Sequence, residues 1–267
     1  MRWLIMEDCE IEQDHVKPYL SIIVPAYNEE QRLPQTLRNI TSYVQDSGFA
    51  AEIIVVDDGS ADDTARVVEE FAASNPIVHL ICNDHRGKAC AVQTGMLAAK
   101  GQYVLFTDAD GATPISEADK LLPLLEQGYD VAIASREGAG AQRHHEPWHR
   151  HVMGRVFNLI VRTLAIPGIR DTQCGFKAFR QDAARDLFGH MQLYAADTGA
   201  VRGAVVTAFD VEILFLAWRW GYKIAEVPVL WYYGAESKVN PIKDSWRNLR
   251  DVLRVRWNDL RGRYFRE

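Results

Sequence analysis

Two short acidic clusters close apolar, β-prone runs: Val55-Val56-Asp57-Asp58-Gly59-Ser60 and Val104-Leu105-Phe106-Thr107-Asp108-Ala109-Asp110-Gly111. Carboxylates at strand ends are where an open α/β sheet can place a divalent cation against the phosphates of a ligand. Asp108 and Asp110 form the sharper pair, because one turn of backbone can bring both to the same ion, Mg²⁺ or Mn²⁺. Without that ion, two carboxylates beside a diphosphate would repel the ligand they are meant to hold. An isolated Asp-x-Asp is also an ordinary strand-end turn, and it gains weight here from the second cluster upstream. Asp57 and Asp58 can accept hydrogen bonds from a base N–H or a ribose hydroxyl, or one of them can simply cap the helix that follows.

Other chemistry-bearing residues are less specific. No G-x-G-x-x-G follows the first strand and no G-x-x-x-x-G-K-[ST] occurs, so the usual phosphate cradles of dinucleotide-dependent redox enzymes and of ATP hydrolases are missing. Gly87-Lys88, ahead of a helix, can touch an anion or form a plain exposed turn with Arg86. The polar run 138–151 holds Arg143, His144, His145, His149, Arg150 and His151. Its histidines have no evident carboxylate partner and no fixed helical spacing, which favours a solvated or phosphate-facing loop over zinc. Asp210 and Glu212 can orient a sugar hydroxyl, or one caps a helix and the other faces solvent.

Those residues need strands and helices to position them. Tyr19-Leu20-Ser21-Ile22-Ile23-Val24 reads as a strand stopped by Pro25, and 34–43 as a helix with Leu33, Leu37 and Ile40 on one stripe. Strands are expected at 52–56, 78–81, 103–107 and 131–134. The helices between them include one capped by Ser60 with Val67, Val68 and Phe71 inward, one over 87–100 and one ending near Glu126. This alternation predicts an α/β protein with a largely parallel, doubly wound sheet. Further on, an amphipathic helix is expected over 152–164, another over 204–220, and strand character over 224–232. Residues 1–18 read as a loose acidic arm.

At 267 residues, with 48% hydrophobic and 25% charged positions, the chain can bury a substantial core, and an intrinsically disordered protein is excluded. The formal charge of −6 is unevenly spread: residues 1–135 carry 22 acidic and 9 basic side chains, residues 136–267 carry 14 and 21. The basic half suits an anionic partner, either anionic lipid, a phosphorylated acceptor or nucleic acid. Cys9, Cys82, Cys90 and Cys174 have no metal-knuckle spacing and are expected as reduced thiols. No run reaches the roughly 18 apolar residues of a spanning helix. The C-terminal segment repeats Trp246, Leu249, Leu253, Trp257, Leu260 and Tyr264 every three or four residues, with Arg247, Arg250, Arg254, Arg261 and Arg263 beside them. That pattern fits either a helix docked on its own domain or one lying at a bilayer surface, and the two are compatible.

Together, Pro25-Ala26-Tyr27-Asn28-Glu29, Val56-Asp57-Asp58-Gly59-Ser60, Gly87-Lys88, Asp108-Ala109-Asp110, Ser135-Arg136 and Asp171-Thr172-Gln173-Cys174-Gly175-Phe176-Lys177 resemble glycosyltransferase family 2. The run from Arg170 to Lys177, together with Phe209-Asp210-Val211-Glu212 and 234–238, resembles its dolichyl-phosphate β-glucosyltransferase branch, with the polyprenyl-phosphate mannosyltransferases next. The resemblance implies a GT-A catalytic domain over 19–240, a Rossmann-like sheet flanked by helices, followed by a cationic amphipathic helix over 241–267.

It also implies an inverting transfer of a hexose, glucose from UDP-glucose, onto a dolichyl or polyprenyl phosphate, with GDP-mannose or another UDP-sugar as alternative donors. A noncatalytic membrane-recruitment module is the alternative of another class. Under the resemblance, Pro25, Tyr27, Glu29, Asp57, Asp58, Lys88, Asp108, Ala109 and Gln173 would bind the nucleotide sugar. Asp108 and Asp110 would hold Mg²⁺ or Mn²⁺, and Arg136, Arg143 and Arg150 would meet the acceptor phosphate. Asp108, Asp110, Arg136 and Asp210 would carry catalysis at a membrane surface, peripheral on its cytosolic face, with no nucleic acid involved. The family's glucosyl branch generally carries an N-terminal hydrophobic anchor, and the 18 residues before the first strand do not resemble one.

Overall fold

A computed structural model of the chain describes residues 17–145, 147–193, 208–233 and 241–265. The first half alternates strand and helix: β1 (Leu20–Ala26), α1 (Leu33–Ser47), β2 (Ala51–Asp57), α2 (Thr64–Ser74), β3 (Val78–Cys82), α3 (Lys88–Ala98) and β4 (Tyr103–Thr107). A 3₁₀ turn (Ile115–Glu117), α4 (Ala118–Glu126), β5 (Val131–Ser135), β6 (Gln142–His144) and α5 (Trp148–Leu164) follow. The chain continues through β7 (Phe176–Arg180), α6 (Gln181–Gly189), α7 (Phe209–Arg219), β8 (Ile224–Pro228), β9 (Leu230–Tyr232) and α8 (Pro241–Leu260).

Seven strands form one sheet in the order β3-β2-β1-β4-β7-β5-β8. All neighbours run parallel except β7, which lies antiparallel between β4 and β5. Both faces are covered, so successive strand residues feed opposite cores. Leu20, Ile22, Val24, Ile53 and Val55 pack with Leu33, Leu37 and Ile40 of α1 and Leu121 of α4. Ile23, Ile54, Val56 and Phe106 pack with α3, α6, α7 and α8 on the other side. The chain order reverses at β1, whose two neighbours β2 and β4 come from opposite windings, and this opens a crevice at the carboxyl ends of β1 and β4.

Several sequence expectations shift. β1 runs through Pro25, which pairs with Val56, because the β4 ladder ends at Ile23↔Phe106 and a missing N–H on that side costs no hydrogen bond. Ser60 does not cap α2; the helix begins at Thr64 and the Ser60 hydroxyl bonds back to Asp57. The polar run 138–151 is not one loop, since Gln142–His144 pairs with Leu230–Tyr232 as a small second sheet and α5 starts at Trp148. The expected strand over 224–232 divides at Val229 between the two sheets. Residues 1–16, 204–207 and 234–240 fall outside the described residues.

At the C-terminus, Val252 and Val255 of α8 are fully buried in the core, and the helix packs on α5 and α7. Trp246, Leu253, Trp257 and Leu260 remain exposed on its other side, and so do Trp148, Val152, Val156 and Leu159 of α5. Tyr264 departs from the expected stripe: it is buried, and its hydroxyl donates to Glu212 at 2.6 Å. Among the described residues no helix is long and apolar enough to cross a membrane.

Candidate active site

The crevice is assembled from three strand ends and the turn that opens α3. After β1, Asn28 adopts φ 53°, a left-handed conformation that asparagine tolerates. There its N–H donates to Ser60 Oγ and its side-chain oxygen accepts from Ala61 N–H, both at 2.8 Å. Glu29 N–H donates to Thr64 Oγ1 at 2.8 Å, while the Glu29 carboxylate pairs with Arg32. These bonds tie the loop after β1 to the loop after β2. Tyr27 stacks on His85 with ring centroids 4.1 Å apart and planes 7° from parallel.

Asp57 and Asp58 are both buried and both engaged within the protein. Asp57 accepts from Ser60 N–H and from the Ser60 hydroxyl. Asp58 meets His85 Nδ1 at 2.7 Å and accepts the N–H groups of Arg86 and Gly87 at 3.0 and 2.8 Å. It thereby fixes the turn at Gly87, φ 96°, from which α3 starts. The first residue of that helix, Lys88, places its Nζ 2.5 Å from Asp108 Oδ1.

Asp108 ends β4. Its Oδ1 is inaccessible and makes no well-oriented hydrogen bond among the described residues, so the Lys88 ammonium is what balances it. A Cβ on Gly175 would overlap the Asp108 carboxylate, so any other residue there would push that carboxylate out of its present position. Ala109 buries its methyl in the core and its carbonyl accepts from Thr36 Oγ1 at 2.7 Å, which leaves it only backbone to offer a ligand. Asp110 Oδ1 accepts from Ala112 N–H at 3.0 Å.

The Asp110 residue is exposed. Lost hydration and then the Asp108 charge push its pKa above the ordinary carboxylate value, with Lys88 and Arg32 pulling the other way. Burial works against the Lys88 ammonium, but Asp108, Asp210 and Asp110 outweigh it and raise that pKa.

Asp210 lies in the first turn of α7, within electrostatic reach of Lys88 and Asp108. Its Oδ1 is 2.5 Å from Lys177 Nζ, and that ammonium also donates to the Cys174 carbonyl at 2.5 Å and lies over the Phe106 ring. Glu212, two residues on, points elsewhere: it accepts from Tyr264 and from the N–H groups of Gln192 and Leu193, and so serves the core. The side-chain Nε2 of Gln173 is buried with no hydrogen-bond partner among the described residues. It is a donor held in reserve beside this cluster in sequence.

Arg136 forms a fork on Asp171, Nε to Oδ2 at 2.7 Å and Nη2 to Oδ1 at 2.9 Å, and its backbone N–H also donates to Asp171. Burial pushes the Asp171 pKa up, but the Arg136 charge and hydrogen bonds prevail and hold it far below the usual range. The guanidinium also lies 5.3 Å from the centre of the Trp231 ring. Arg143 donates to the Arg136 carbonyl and to Glu137, each at 2.7 Å. The Arg150 side chain lies outside the described residues. Sequence reasoning passed over the roles of Asp171 and Lys177, which lie 35 and 33 positions from their partners.

Residues 21–188 match the sequence profile described as glycosyl transferase family 2. The chain belongs to glycosyltransferase family 2. This family 2 glycosyltransferase is 35% identical over 262 residues to a dolichyl-phosphate β-glucosyltransferase of Dictyostelium discoideum, a match covering 91% of this chain and 76% of that protein. It is 34% identical over 263 residues to the dolichyl-phosphate β-glucosyltransferase of Homo sapiens, with 91% and 76% covered. Its fold is similar to that of glucosyl-3-phosphoglycerate synthase from Mycobacterium tuberculosis, solved with Mn²⁺, UDP-glucose and phosphoglyceric acid, at a TM-score of 0.60 and 18% identity. That match covers 92% of this chain and 80% of the synthase.

Proposed function

We propose that this glycosyltransferase moves glucose from UDP-glucose onto a dolichyl or polyprenyl phosphate, giving a β-linked lipid-phosphate sugar at the cytosolic face of a membrane. The supporting observation is the convergence of Asp108, Asp110, Lys88 and Asp210 at the switch point of the sheet, in a chain whose relatives carry the dolichyl-phosphate β-glucosyltransferase name.

The residues present fit a divalent cation. Asp108 and Asp110 repel one another and already draw a cation, the Lys88 ammonium, onto Asp108. Among the described residues no third His, Cys, Asp or Glu joins them in a metal-binding group, which suits an ion completed by diphosphate oxygens and water. Mg²⁺ or Mn²⁺ held by this pair would neutralise the departing diphosphate. The protein's own part is to position. Tyr27 stacked on His85 offers a flat surface for a base, and Gln173 Nε2 offers a donor on the sugar side.

A lipid phosphate is already anionic near neutral pH, so its oxygen can attack the anomeric carbon without a strong general base, and an α-linked donor inverts to a β-linked product. Rate then rests on holding donor and acceptor in line. Arg136, kept rigid by Asp171 and Trp231, and Arg143 supply positive charge for the acceptor phosphate. The exposed apolar faces of α5 and α8 suit contact with lipid.

Transfer to a short polyprenyl phosphate is the test, with UDP-glucose and GDP-mannose compared at fixed Mn²⁺ or Mg²⁺. UDP-glucose should be the better donor, and Asp110→Asn should lower its turnover by about 100-fold or more, as expected when a group stabilising developing charge is lost. Preference for GDP-mannose would overturn the glucosyl assignment, and unchanged turnover in Asp110→Asn would overturn the role of the carboxylate pair.

A further inference from the structure

We infer that Lys88 is an exchangeable counter-ion: its ammonium occupies Asp108 until a divalent cation and a diphosphate arrive together, so that the two ligands bind cooperatively. This rests on the reading of Asp108 and Asp110 as the cation-binding pair.

Charge balance carries it. Arg32, which also acts on Asp110, is balanced by its own pair with Glu29, so Asp108, Asp110 and Asp210 face Lys88 and Lys177, three carboxylates against two ammonium groups. A dication turns that deficit of one positive charge into an excess of one. The like-charged Lys88 ammonium, 2.5 Å from Asp108 Oδ1, opposes the newcomer directly. A diphosphate removes the conflict, because it offers anionic oxygens both to the dication and to a displaced ammonium.

The geometry permits this exchange and little else. The Lys88 backbone is pinned, with the two preceding N–H groups on Asp58, so only its flexible four-carbon stem can move. The side chain is 37% exposed, which leaves room for the ammonium to swing toward the crevice. Asp210 stays behind with its own partner, Lys177, whose Nζ is buried and donates on two sides. Lys88 remains protonated throughout; what changes is the anion it faces.

Mn²⁺ binding, read from the electron paramagnetic resonance signal of the free ion with and without saturating UDP, tests this. In the unaltered protein UDP should tighten Mn²⁺ binding by about 10-fold or more, a usual size for coupling between two ligands. Lys88→Gln should bind Mn²⁺ alone about 10-fold more tightly and lose most of the further gain from UDP, whereas Lys88→Arg should keep the weak binding of Mn²⁺ alone. Unchanged or weaker Mn²⁺ binding in a folded Lys88→Gln protein, while Asp110→Asn still abolishes binding, would overturn the counter-ion role and leave the metal site standing. Undiminished Mn²⁺ binding in Asp110→Asn would overturn both.

Discussion

Asp171 has no exposed surface, and its carboxylate takes three N–H donors from Arg136. Removing one partner of such a pair leaves a buried charge uncompensated, so Asp171→Asn should lose about 3 kcal/mol at pH 7. The pH dependence has a definite sign. Because the folded-state pKa is depressed, this stabilisation is present above the unfolded value of about 4 and is lost as pH falls toward the folded value. Urea unfolding between pH 7 and pH 3 should therefore show a steeper acid loss in the unaltered protein than in Asp171→Asn, and parallel curves would refute the assignment. At this scale the sequence was half legible. Asp108 and Asp110 stand two positions apart, so one local turn suffices to join them. Arg136 with Asp171, and Lys177 with Asp210, meet only because the sheet brings distant segments together.

Strand β7 carries that lesson to the level of elements. Phe176-Lys177-Ala178-Phe179-Arg180 does not alternate apolar with polar toward solvent, since Lys177 is as buried as its phenylalanine neighbours and is balanced by Asp210. A strand whose buried charge is neutralised from another element leaves no period to read. Tyr264 failed differently. Its spacing continues the α8 stripe, but Gly262 at φ 74° ends the regular backbone and turns the chain inward.

In the part of the stripe that stays helical, Trp246, Leu253, Trp257 and Leu260 are exposed and Leu249 is half-buried; Arg250 and Arg254, also exposed, and Arg261, stacked on Trp257 at 4.6 Å, accompany them. Replacing Trp246, Leu253 and Trp257 together with serine should cut sedimentation with anionic vesicles by about 10-fold, given the transfer energy of the apolar surface removed. The melting temperature should move by only a few degrees, as for surface substitutions. Undiminished vesicle binding would show that this face does not meet lipid.

Across the whole molecule, the alternation of strand and helix from Leu20 to Ser135 was open to sequence reasoning, because β1, β2, β4 and β5 are short, largely apolar runs buried on both faces and α1, α2 and α4 each carry one apolar stripe. The later half was open only in part: α5, α7 and the strand character of β8 and β9 were legible, whereas the antiparallel β7 and the second small sheet break that rhythm and were not. A single pair of cores on either side of one sheet implies concerted unfolding, which thiols can report. Cys82 is exposed, whereas burial pushes the Cys174 thiol up to about 11. Iodoacetamide at pH 8 should label Cys82 in the native protein and reach Cys174 only at the denaturant concentration where the far-ultraviolet signal is lost; earlier labelling of Cys174 would reveal a separately opening region.

The hydrogen bond from Tyr264 to Glu212 gives the last few residues a duty beyond any lipid contact. A chain clipped after Leu260 would leave a fully buried carboxylate, two positions from Asp210 on the same turn of α7, with the Gln192 and Leu193 N–H groups but without its hydroxyl donor. Shortening this tail should thus loosen the turn of α7 that also carries Asp210.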